Sequence, residues 1–356
     1  MIHPEDDLRV PPKEYSSEHL GVTRTAPLRA RLDTGGARCA LGEARLKRSV
    51  RKLLVGVAAV AAVLAVGLAT TTVVNVVASE GESSRIESYG QRVAVDGGEM
   101  NVLVTGAGPE NVVLLPGFGT SSPVLDFGPL VKDLATDHRV IVVEPFGYGL
   151  SDGTDRERTT ENIVQEVHGA LEALDVDRYT LMGHSIAGLY GIEYANRYPG
   201  EVTAFVGIDT SVPGQPGMDT EFPTGLMSTM KNLGLLRFIS ALSAASDLSG
   251  YTDHAREQMQ MLSNRNSLSP TYLNEMGHIK SNFENALGTG FPKELPLLLF
   301  VVAENKQNPE WLELHHRQAA NVSNGTVVPL PGEHYLHHTH AGEIADGLRK
   351  WEAGRG

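Results

Sequence analysis

The sequence predicts an α/β chain with a mostly parallel, doubly wound sheet, a helical cap inserted late in that sheet, and one membrane-spanning helix in front. Three observations carry this expectation. Short runs of Val, Leu and Ile recur between turn residues, at Val112–Leu115, Val140–Val143, Thr180–Met182, Val202–Ile208 and Leu297–Val302. Helical patterns lie between them. Ahead of them, 27 residues from Leu53 to Ser79 carry no charge.

A short, continuous apolar run marks a strand covered on both faces, as in a parallel sheet. Thr160–Leu174 repeats its apolar residues with the helical period, and Glu310–Ala320 does so more weakly. Strands alternating with helices predict a doubly wound sheet. Arg92–Val95 and Met100–Val104 flank Asp96-Gly97-Gly98, which predicts an antiparallel hairpin at the start. Val327–Leu330 is expected to be the last strand. These elements assign residues 86–212 and 291–356 to the two parts of one core. Residues 213–290 break the alternation and read as a cap over the site. Six of the nine methionines lie there: Met218, Met227, Met230, Met259, Met261 and Met276. They suit an adaptable apolar pocket wall, or they pack the cap's own core.

Leu53–Ala69 is apolar throughout, and the charge-free stretch continues to Ser79, which is long enough to cross a bilayer as a helix (53–79). Arg45, Lys47, Arg48, Arg51 and Lys52 precede it and are expected to stay cytoplasmic, leaving the body outside at the cell membrane. A cleaved signal peptide ending near Val76-Val77-Ala78 is the competing reading. It requires a leader of about 50 residues and an apolar stretch well beyond the usual ~7–15. Residues 1–52 read as a disordered basic tail. They hold 11 Lys/Arg and 7 Asp/Glu, whereas residues 80–356 hold 19 and 36, so the body carries most of the negative charge. An acidic body excludes nucleic acid as an expected partner. Cys39 is the single cysteine, so neither a disulfide framework nor a cysteine metal site is expected.

The chemistry-bearing stretch is Thr180-Leu181-Met182-Gly183-His184-Ser185-Ile186-Ala187-Gly188. A strand enters Gly-His-Ser-Ile-Ala and a helix leaves it, the pattern of a nucleophile elbow. Small residues two before and two after Ser185 let the backbones approach, and the turn aims the Ile186 N–H at a forming oxyanion. Leu114-Leu115-Pro116-Gly117-Phe118-Gly119-Thr120 offers a second donor, the Phe118 N–H. Serine needs an adjacent base. His334, in Pro331-Gly332-Glu333-His334 after the last strand, is the best-placed histidine. His337 and His338 are expected to start the final helix, and His168 and His184 to be structural or pocket-lining. No acidic or cysteine ligand is spaced to turn the His-rich tract into a metal site.

Together these motifs resemble the α/β-hydrolase superfamily, in its capped, serine-nucleophile branch of esterases and proline-iminopeptidase-like enzymes, over about Gln91 to Trp351. Glu144-Pro145-Phe146-Gly147-Tyr148-Gly149-Leu150-Ser151-Asp152 is similar to that family's D-x-x-G-x-G-x-S loop, with Glu144 in the Asp position and an architectural role. Pro116 replaces a frequent His, and Ala187 a frequent Gly. The resemblance implies a third triad member, an acid. Two candidates keep the chain order Ser–acid–His: Asp209, which ends Val202–Ile208, and Glu304, in Ala303-Glu304-Asn305-Lys306 after the penultimate strand. Spacing leaves both open.

The expected activity is cleavage of an ester or related acyl bond through an acyl-enzyme on Ser185, without cofactor or metal, on a small-molecule acyl substrate of apolar character. An aminopeptidase of the proline-iminopeptidase type, using cap carboxylates such as Asp219, Glu221, Asp247 or Asp253, is one alternative. A hydrolase-fold surface protein without activity is the other.

Overall fold

The computed structural model describes residues 35–235, 237 and 248–355, with side chains from residue 45 onward. The first 34 residues of the expected tail, and residues 236 and 238–247 of the expected cap, lie outside the described residues.

The chain divides into two units, Met1–Val63 and Leu64–Gly356. Helix α1 runs over Gly35–Ser83. Residues 35–52, expected to be irregular, are therefore helical. The reason is composition: Ala, Leu, Arg, Lys and Glu dominate this stretch and are strong helix formers. α1 also continues beyond the expected span, to Ser83. From Arg45 to Ser83 the helix is long and apolar enough to cross a membrane, and the apolar window is wholly unburied.

The second unit is built on an eight-stranded sheet in the order β1-β2-β4-β3-β5-β6-β7-β8. The strands are β1 (Gln91–Val95), β2 (Gly98–Thr105), β3 (Asn111–Leu115), β4 (Arg139–Glu144), β5 (Tyr179–His184), β6 (Val202–Ile208), β7 (Leu297–Val302) and β8 (Gly325–Leu330). β1 and β2 form the antiparallel hairpin, turning through Asp96 and Gly97 at φ 45° and 83°. β2 also runs antiparallel to β4, and every later pair is parallel.

Side chains alternate across the sheet. Val113 and Leu115 of β3 join one core with Ile163, Val164, Leu189 and Tyr190. Val112 and Leu114 join the other with Leu130, Leu134, Ile344 and Leu348. Both faces are thus covered, which is why these strands read as unbroken apolar runs. The first core involves α4 (Thr160–Glu172), α5 (Ala187–Arg197) and α9 (Trp311–Ala320). The second involves α2 (Pro123–Asp126), α3 (Gly128–Leu134), the short α10 (Leu336–Thr339) and α11 (Ala341–Ala353). His337 and His338 sit in α10, ahead of the final helix rather than at its start.

Between β6 and β7 the described residues form α6 (Thr224–Asn232), α7 (Asp253–Asn266) and α8 (Pro270–Ala286). Met261 and Met276 of this segment are buried.

Candidate active site

Five loops leave the C-terminal ends of β3, β5, β6, β7 and β8, the edge at which open α/β sheets bind ligands. The β5 loop is the tightest. Ser185 has φ 55°, a left-handed conformation that costs a non-glycine residue on the order of 1–3 kcal/mol. Close packing holds it there. A Cβ on Gly183 would lie 2.7 Å from the Ala187 Cβ, and one on Gly188 would lie 2.2 Å from the Ser211 carbonyl oxygen. The Ser185 carbonyl accepts from the Gly188 and Ser211 amides at 3.0 and 2.7 Å.

His334 arrives from the loop after β8. Its Nε2 lies 2.9 Å from the Ser185 Oγ, and its Nδ1 lies 2.6 Å from the Asp209 Oδ2. A carboxylate only accepts, so Nδ1–H donates to Asp209, and Nε2 is left to accept from the serine hydroxyl. Asp209 is fully buried directly after β6 at φ 45°, a second left-handed non-glycine residue. Its other oxygen, Oδ1, accepts from the Trp311 Nε1–H at 2.6 Å and from the Val302 amide at 3.0 Å. Both carboxylate oxygens are thus committed, which fixes the direction in which Asp209 faces His334. Glu304, the other acid candidate, is exposed on the loop after β7 and stands outside this hydrogen-bond chain. Trp311 escaped the sequence reading. Its only signal was its place near the start of a weakly amphipathic helix.

The two expected oxyanion donors belong to neighbouring loops. A Cβ on Gly117 would lie 2.6 Å from the His184 Nδ1 and 3.0 Å from the Ser185 Cβ, so the β3 loop touches the serine turn only because residue 117 is glycine. Phe118 follows it, and Ile186 follows Ser185. Among the described residues, neither amide has a hydrogen-bond acceptor. The Tyr272 ring of α8 packs at a tilt against Phe118, with centroids 4.7 Å apart, so the segment between β6 and β7 flanks this loop.

His184 is buried, and its Nε2 meets the His334 carbonyl oxygen at 3.1 Å. Burial, aided by His337 and His334, pushes its pKa well below the ordinary value, so it stays neutral. His168 stacks on Tyr198 at 3.7 Å and bonds Glu201 at 3.1 Å.

The His-rich tract does meet an acid, contrary to the spacing argument. Asp126, more than 200 residues earlier, brings its Oδ2 to the His337 Nε2 at 2.7 Å and its Oδ1 to the His338 Nε2 at 2.8 Å. The three ligand atoms lie within 4.8 Å of one another, close enough to hold a metal. The buried His337 Nδ1 lacks a partner among the described residues. Ligation through Nε2 would leave an Nδ1–H there without an acceptor, against the usual pattern of metal-bound imidazoles. The donor set therefore fits a hydrogen-bonded cluster better than a metal centre. Burial would raise the Asp126 pKa, but His337 and His338 outweigh it and hold the carboxyl well below the ordinary range.

Glu144 has the architectural place expected of it. It is fully buried and accepts from the Leu150 and Val124 amides, the Asn101 amide group and the Tyr89 hydroxyl. A Cβ on Gly149 would fall 1.8 Å from this carboxyl group, so only glycine fits there.

Residues 110–270 match the family model for the alpha/beta hydrolase fold. The chain is 24% identical to YbdG of Bacillus subtilis over 271 residues, covering 72% of this chain and 83% of that one. It is 32% identical to the serine hydrolase BPHL of Homo sapiens over 119 residues, covering 32% of this chain and 40% of that one. Among solved structures it resembles the enol-lactonase of Burkholderia xenovorans, with a TM-score of 0.57 and 17% identity, covering 74% of this chain and 100% of that one. The parallel sheet, the strained serine turn between strand and helix, and these matches agree: the sheet unit has the alpha/beta hydrolase fold, and residues 110–270 match that family's model.

Proposed function

We propose that this protein is a membrane-anchored serine hydrolase that cleaves an ester or related acyl bond, with Ser185 as nucleophile, His334 as base and Asp209 as the acid that orients it. The observation that carries the reading is the continuous relay from Ser185 Oγ through His334 to Asp209, with separations of 2.9 and 2.6 Å. His334 accepts the hydroxyl proton as Oγ bonds to the substrate carbonyl carbon. The Phe118 and Ile186 amides donate to the oxyanion. His334 then gives its proton to the leaving group as the acyl bond breaks. Water attacks the acyl-enzyme, His334 takes its proton, and Ser185 leaves as the hydroxyl. No cofactor enters these steps.

The serine hydrolase named among the relatives supports the reaction class. Glu304, exposed and apart from the relay, has no part in this mechanism. The 27-residue charge-free stretch supports an uncleaved anchor, and the basic residues before Leu53 support the hydrolase unit lying outside the cytoplasm.

The test is fluorophosphonate labelling of the full chain in detergent, alongside turnover of a p-nitrophenyl ester. Wild type is expected to label and turn over, and Ser185→Ala and His334→Ala to do neither. A folded wild type that takes no label rules out the serine-hydrolase reading.

A further inference from the structure

The last turns of α1 invert the usual pattern of a surface helix. Thr71, Asn75, Ser79 and Glu82 fall on one face and are half-buried, while Val73, Val74, Val76 and Val77 face outward, 62%, 55%, 51% and 63% exposed. The polar stripe is gripped by the segment between β6 and β7. A Cβ on Gly234 would lie 2.5 Å from the Thr71 carbonyl oxygen and 2.9 Å from the Asn75 Cβ. Arg237 donates to both Glu82 carboxylate oxygens at 2.5 and 2.9 Å, to Ser79 Oγ at 3.1 Å and to Asn75 Oδ1 at 3.2 Å. Asn264 of α7 donates to the same Glu82 at 3.1 Å. A helix that turns its polar groups toward protein and its valines outward has an apolar solvent on that outer side.

The same segment carries a second apolar surface. Outside α1, the exposed large apolar side chains among the described residues are Phe222, Leu226, Leu287 and Tyr335. Phe222 and Leu226 lie just before and within α6, a helix without a buried residue, which ends two residues short of Gly234. The apolar surface therefore leads directly into the contact that holds α1. α6 packs on α8, and α8 carries Tyr272 against Phe118. Lipid at α6 would thus be two helices from the proposed oxyanion loop.

We infer that α6, through Phe222 and Leu226, rests in the same lipid surface as the valine face of α1, so that the cap is seated on the bilayer and the hydrolase draws its acyl substrate from the lipid phase. The inference rests on the anchored-hydrolase reading above and names its substrate class.

Nitroxide labels on the full chain in phosphatidylcholine vesicles test it. Cys39→Ala removes the native thiol, and Leu226→Cys, Val74→Cys or Glu313→Cys supplies the labelling site. Labels at 226 and 74 are expected to be relaxed by oxygen, and a label at 313 by a water-soluble nickel chelate. A nickel-accessible label at 226 beside a lipid-exposed one at 74 overturns the inference and leaves the anchor intact. Nickel access at both overturns the anchor as well. Dipolar broadening at 226 that vanishes on dilution with unlabelled protein assigns the face to a second copy and also overturns the inference. The activity arm uses Phe222→Asp with Leu226→Asp. Hydrolysis of a vesicle-borne diacyl ester is expected to fall on the order of ten-fold or more, while a soluble p-nitrophenyl ester changes less than about two-fold. Equal loss on both substrates overturns the lipid-substrate claim, with fluorophosphonate labelling of Ser185 reporting an intact site.

Discussion

The Asp209–His334 pair and the Asp126–His337 pair flank one ring, that of His184, whose centroid lies 4.7 Å from each histidine. Their chemistry differs because their surroundings do. His334 has a side chain 44% exposed and uses both nitrogens, one on the acid and one on the Ser185 hydroxyl. His337 is fully buried, with one nitrogen on the acid and the other without a partner among the described residues. Burial lowers its proton affinity, with Asp126 pulling the other way. A histidine–carboxylate contact alone does not make a base. The second nitrogen must face a group that reacts.

Substitutions should separate the two pairs, and the largest effect is expected at Asp209. Asp209→Asn leaves the shape but reverses the hydrogen bond that sets the His334 tautomer. It should lower kcat by roughly three to four orders of magnitude, read by ester turnover at saturating substrate. A loss below about ten-fold would break the comparison by making Asp209 no more than a structural partner. Trp311→Phe removes one of the two donors holding the far oxygen of Asp209. It should lower kcat roughly ten-fold and cost about 1–2 kcal/mol in denaturant unfolding.

Asp126→Asn should show the opposite balance. Turnover should stay within about three-fold, while stability falls by about 3 kcal/mol or more, because a buried charge-assisted contact is broken. The Asp126 carboxyl is held below its ordinary range, so its contribution is present above the unfolded value of about 3.9 and is lost as pH falls through the folded one. The wild-type advantage over Asp126→Asn should therefore narrow in acid, as followed by unfolding at pH 3 and pH 7. The smallest effect is expected at Glu304→Gln, within about two-fold in kcat, since that side chain is exposed and outside the relay.

The strands were legible because both faces of the sheet are covered, which leaves unbroken apolar runs, and the serine turn because its close approaches demand small residues at fixed spacing. The acid was not. β6 and β7 are neighbours, so Asp209 and Glu304 leave the same edge of the sheet side by side, and chain order is identical for both. What separates them is direction: the left-handed φ of Asp209 and the bonds from Trp311 and Val302, which no spacing reveals. Asp126 was invisible for another reason. Its partners lie 211 and 212 residues away, and only the folding of the C-terminal segment back onto this region brings them together. The early start of α1 was hidden because residues 1–52 were read together as one charged tail.

Glu82 and Arg237 are separated by 155 residues. At ordinary rates of synthesis the ribosome needs on the order of ten seconds to travel that far. During that interval the stripe of Asn75, Ser79 and Glu82 is complete while its partners do not yet exist. This seam therefore closes only after residue 237 has been made. A chain broken off before Arg237 keeps the stripe uncovered, so finished and unfinished molecules differ at this surface.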